Sequence, residues 1–161
     1  MNFDPNAWRG LSGIDSDGPT LLRDLQELGA GRIEAHDQQI EILADLYRDG
    51  TASTAAYAAV PLLLDPEAHV SCRLRWEMCL TAGLVLAARG RDNLPAQESA
   101  KAMLQGVTNE LAVERLLAAA AQAQLRVPEL LDTFAVIMML TGRPDLHEKL
   151  KRLVLQEYGA I

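Results

Sequence analysis

The chain is poor in most of what would narrow its chemistry. Aromatic residues make up only 4% of its 161 positions, and lysine occurs only at 101, 149 and 151. Its formal net charge is −7. That excludes ordinary nucleic-acid binding, in which counterion release by Lys and Arg supplies the affinity, and leaves room for a basic protein partner. No apolar run reaches the roughly 18 residues that suggest a membrane-spanning helix. The opening "MNFDPNAWRG" lacks the basic-then-apolar pattern of a secretory leader. A cytoplasmic protein without membrane contact is expected. The two cysteines, Cys72 and Cys79, fall two helical turns apart, roughly 10 Å, whereas a disulfide needs Cα atoms within about 7 Å. Two buried thiols are the expectation.

Catalytic signatures are also missing. His36, His69 and His147 are far apart in sequence. There is no His-Glu-x-x-His, no paired Cys-x-x-Cys and no Gly-rich phosphate loop. "GAG" at 29–31 follows a predicted helix, so it reads as a helix stop. Ser53, Ser71 and Ser99 read as helix caps or surface residues rather than as nucleophiles with a base and an orienting group. The expectation is a protein without catalysis, metal or cofactor.

What is present is helical. Hydrophobic residues are 49% of the chain, enough for one core. Alanine is abundant and favours closely packed helices. Val, Ile and Thr do not gather into alternating runs, so no strands are expected. Residues 1–17 read as an irregular arm pinned by Phe3 and Trp8, and 18–161 as a single helical domain. Proline opens the helix after Gly18, which stops at Gly29 or Gly31. A second helix spans 32–49 and ends at Gly50. Ser53 or Thr51 caps the next, which carries Pro61 inside it, where proline removes a backbone donor and bends the helix. Further helices cover 67–90, then 96–125 as one or two with breaks at Gly106 and Asn109. A final pair follows, started by Pro128 and Pro144 and stopped by Gly142 and Gly159. Seven or eight helices are expected, arranged as stacked antiparallel hairpins.

One cluster points outward. On a uniform helix over 32–49, Glu34, Asp37, Glu41, Asp45 and Asp49 fall within an arc of roughly 120°, opposite Ile33, Ile40, Leu43, Ala44 and Tyr47. Such a row is either a solvated face or a row of carboxylates that steers and holds a basic partner. Trp76, between Arg75 and Glu77, reads first as a core anchor and second as an interface hot spot.

The segment "LYRDGTASTAAYAAVPLLL" at 46–64 resembles a hairpin found in a HEAT-like all-helical bacterial family that includes immunity proteins of polymorphic toxins. The matching positions are Leu46, Tyr47, Gly50, Thr51, Ala58, Ala59, Val60, Pro61, Leu62 and Leu63. Arg48 and Asp49 depart from the family's His-Gln. The resemblance implies a right-handed HEAT-like stack and a protein that neutralises a cognate toxin by occlusion. The acidic row at 34, 37, 41, 45 and 49 would contact a basic toxin domain. A helical scaffold or adaptor subunit is the alternative expectation.

Overall fold

The computed structural model describes residues 5–89, 102–104, 106–143, 145 and 149. Among them are six α-helices: α1 (Gly18–Gly29), α2 (His36–Leu46), α3 (Ala56–Leu63), α4 (Cys72–Ala88), α5 (Asn109–Gln122) and α6 (Val127–Leu140). Two-residue strands β1 (Tyr47–Arg48) and β2 (Thr51–Ala52) pair between α2 and α3, and short 3-10 turns lie at Pro5–Trp8 and Ala102–Leu104. The fold is thus mostly helical, as expected. The expected segments at 90–101, at 146–148 and at 150–161, with Phe3 and Pro144, lie outside the described residues.

The N-terminal segment is woven into the body. Trp8 is fully buried and Leu11 nearly so. Ser12 accepts from Ala55 N–H at 3.0 Å through its carbonyl, and its own N–H donates to Thr54 Oγ1 at 2.8 Å. Gly18 sits so close to the Trp8 and Leu11 carbonyls that a Cβ would not fit. Asp17 then caps α1 by accepting the Thr20 N–H at 2.8 Å, and this bond holds its carboxyl below the ordinary range. Leu21, Leu22, Leu25 and Leu28 turn one face of α1 into the core, and the helix ends at Gly29 as its composition predicts.

The second helix is shorter than its periodicity suggests. Residues 33–35 lead into α2 outside the helix, with the Gln39 side chain donating to the Ile33 carbonyl at 2.7 Å. At the far end Tyr47 leaves the helix for extended backbone. Asp49 and Gly50 both take positive φ, 52° and 84°, which pairs Tyr47 with Ala52 and Arg48 with Thr51. This is a two-residue hairpin turn of the kind Asp-Gly favours. It overturns two expectations, that strands are absent and that Gly50 turns one helix directly into the next.

Helix α3 starts without the predicted cap. Ala55 stands at its N-cap with no side-chain bond. Thr51 belongs to β2, and the Ser53 hydroxyl is buried without a partner. Pro61 lacks the N–H that would meet the Tyr57 carbonyl, and α3 ends two residues later. Ala55, Ala56, Ala58 and Ala59 are buried to within 1%, so α3 lies close against α1 and α4, the packing its small residues predict.

Helix α4 is the hub. Ser71 caps it by accepting the Leu74 N–H at 3.1 Å, and it touches α2, α3, α5, α6 and the hairpin. A Cβ on Gly83 would collide with Val136, so the glycine lets α6 cross closely. The predicted break before α5 falls at Gly106, φ +78°, with Thr108 as the cap. Pro128 stands in the first turn of α6, and Gly142, φ +71°, follows its end.

Candidate functional site

The structure divides the predicted acidic row. Glu34 precedes α2 and Asp49 sits in the hairpin turn; both are exposed. Asp37 and Glu41 remain on the helix as exposed carboxylates. Asp45 is only 7% exposed, so it is not part of a solvated face. Its carboxylate accepts the Asp15 N–H and the Ser16 hydroxyl, while its carbonyl accepts the Ile14 N–H at 2.9 Å. Gly13 makes room, since a Cβ there would overlap the carboxylate. Asp45 therefore pins the N-terminal segment to α2. The uniform 100° arc failed because the helix is bounded by His36 and Leu46, and because a loop from 30 residues upstream covers the position of Asp45.

Two grooves flank α2. The first lies against the N-terminal segment and α1. It has a volume of about 430 Å³ and is lined by Asp15, Asp24, Glu41 and Asp45, with Arg48 as its one arginine. Arg48 pairs with Asp15 at 2.6 Å and Arg23 with Asp24 at 3.1 Å, both at the surface, where such pairs contribute little to stability. The lining stays acidic on balance. The second groove, of about 280 Å³, lies between α2 and α4, where Ile40, Leu43 and Tyr47 face Trp76, Leu80 and Leu84. At about 100° per residue Asp37 and Glu41 fall on the exposed side of α2 between the residues that line the two grooves, Glu41 at the edge of the first.

Trp76 supports the apolar groove from below. It is 3% exposed, and its Nε1–H donates to Thr133 Oγ1 at 2.9 Å, so it is a core anchor, as the first reading of its position held. Arg73 stacks over its ring at 4.6 Å. The same guanidinium reaches Glu77 at 2.8 Å and Glu129 at 3.0 Å, and Arg126 adds a second cation to Glu129 at 2.6 Å. Arg73 first, then Arg126, hold the Glu129 carboxyl down at about 2. Nothing in the spacing of the sequence announced this cluster, because it joins residues 73 and 129. Its legible parts were the local pairs Arg73–Glu77 at i,i+4 and Arg126–Glu129 at i,i+3.

The cysteines differ from each other. Cys79 is buried, and burial pushes its thiol up to about 11, which makes it inert at neutral pH. Cys72 is exposed at the start of α4, contrary to the expectation of two buried thiols. Ser71 is a cap as predicted, and Ser99 lies outside the described residues. Among the described residues no group of His, Cys, Asp and Glu is placed to hold a metal ion, and no helix is long and apolar enough to cross a membrane. Comparison of the chain with protein-family models, curated proteins and solved structures returns no match.

Proposed function

We propose that the protein is a non-catalytic binding module whose α2 ridge docks a basic protein partner, and that it acts as an immunity protein that occludes a cognate bacterial toxin domain. The carrying observation is the pairing of grooves about α2. One is acidic, the other apolar, and Asp37 and Glu41 are exposed between them. Complementary charge steers the encounter and fixes register, while aromatic and aliphatic pockets supply the anchoring energy. The contact set is thus Asp37 and Glu41, with Glu34 and Asp49 at the two ends of α2. Asp45 is the support that shapes the acidic wall. A HEAT-like stacking of helical hairpins in a cytoplasmic protein belongs to the same reading, with α5 and α6 packed as a pair on α4. Toxin neutralisation rests on the hairpin resemblance at 46–64.

Co-expression with the product of the adjacent reading frame tests this. Rescue of growth together with a co-purifying complex is the expected result; toxicity without rescue would reject immunity. One observation favours a second reading, a scaffold subunit. Val127, Leu130 and Phe134 are 47%, 38% and 47% exposed, and their spacing puts them along one side of α6. Concentration-dependent self-association in sedimentation that is abolished by Phe134→Glu would favour that reading.

A further inference from the structure

The arginines fall into two groups. Arg23, Arg32, Arg48, Arg73, Arg126 and Arg143 each pair with a carboxylate. Among the other described arginines, Arg75 and Arg115 line one pocket of about 280 Å³ between α4, α5 and the end of α3. Arg75 is held rigidly, but by neutral acceptors: its guanidinium donates to the Asp65 carbonyl at 3.1 Å and to the Ala68 carbonyl. Those bonds orient the fork without neutralising it. Arg115 is half-buried, with no ion pair to a described residue. Both charges act on the buried Cys79 thiol, which lines the same pocket. In a chain of net charge −7, two guanidinium groups sharing one concavity with no carboxylate among its described lining residues call for an anion.

The remaining walls say what kind. Leu64, Pro66, Ala118 and Ala119 are apolar, and Gln122 at the rim adds an amide. A guanidinium fork matches a planar carboxylate bidentately. Apolar walls with a few convergent polar groups are the usual make-up of a small-molecule site, and at about 280 Å³ this one falls just under the usual range of about 300–1,000 Å³, which suits a small ligand. We propose that this pocket binds a small monocarboxylate, its carboxylate between Arg75 and Arg115 and its short apolar body against Leu64, Pro66 and Ala119. This site is separate from the α2 ridge and does not depend on the partner-binding reading.

The test uses the full chain with hexanoate, its neutral isostere hexanamide, and inorganic phosphate at matched ionic strength. Calorimetry should give saturable binding of hexanoate, weaker binding of phosphate and none of hexanamide. Arg115→Gln should weaken hexanoate roughly tenfold or more, the loss of one charge-assisted hydrogen bond, with the thermal midpoint of the free protein unchanged. In a Cys72→Ser background, hexanoate should slow alkylation of Cys79 at alkaline pH with the same concentration dependence. Equal binding of hexanamide, preference for phosphate over hexanoate, or hexanoate affinity unchanged in Arg115→Gln would each overturn the proposal.

Discussion

The two grooves beside α2 are built on opposite principles. The acidic one owes its wall to a loop, fastened by a single buried carboxylate whose donors are neutral, a backbone N–H and a hydroxyl. The apolar one owes its floor to helix packing, and its charges sit beneath it in a guanidinium cluster that ties α4 to α6. Neutral donors around Asp45 fix a chain path and leave the lining of the groove acidic on balance. Beside the apolar groove the Arg73 guanidinium pairs with Glu77, the one carboxylate in its described lining, and the rest of that lining is mostly apolar. One acidic and one apolar surface thus lie on either side of a single helix.

The largest effect should come from breaking the loop's fastening. Asp45→Ala strips the Asp15 N–H and the Ser16 hydroxyl of their acceptor, at about 3–6 kcal/mol for two hydrogen bonds to a charged group. Asp37→Ala and Glu41→Ala, at exposed positions, should each stay within about 0.5 kcal/mol. Urea unfolding of the three variants checks the contrast, and an equal effect at all three would erase it. Next comes the floor of the apolar groove. Thr133→Val leaves the Trp76 indole N–H buried without an acceptor, which costs about 1–3 kcal/mol, read in the same unfolding experiment.

The two carboxylate systems also separate by pH. Glu129 has a folded-state value of about 2 against an ordinary 4.5. A carboxyl depressed in this way adds stability that is fully present above pH 4.5 and is lost as the pH falls toward 2. Stability measured across that window should decline in the wild type and decline less in Glu129→Gln. An identical slope in both would remove the cluster from the account. The smallest effect is chemical: at pH 8 a maleimide should modify Cys72 quickly, and Cys79, its thiol pushed up to about 11 by burial, far more slowly while the protein is folded. Peptide mapping of the modified chain reads this directly.

Much of this was legible in the sequence, and the failures have local causes. Pro19 and Ser71 mark helix starts through proline and side-chain chemistry that works at short range, and the structure follows them. Alanine in α3 implied close approach, and the helix is buried. The hairpin was missed although Asp49-Gly50 is a strong turn signal, because apolar spacing through Tyr47 continued the helical pattern across it. Asp45 was misplaced for a different reason. Its burial depends on Gly13 through Ser16, and no periodicity within α2 reports a loop that arrives from elsewhere. The Arg73–Glu129 and Trp76–Thr133 contacts share that property, as does the meeting of Arg75 with Arg115.

The central claim is that Asp37 and Glu41, standing between two grooves, hold a basic partner. Its most direct test is the affinity of the adjacent frame's product for wild type and for Asp37→Lys/Glu41→Lys, with Asp45 left intact so that the fold is preserved. The account predicts a complex that the double reversal weakens roughly a hundredfold, as like charges brought together cost several kcal/mol, at an unchanged thermal midpoint. A complex whose affinity is the same in both proteins would contradict it.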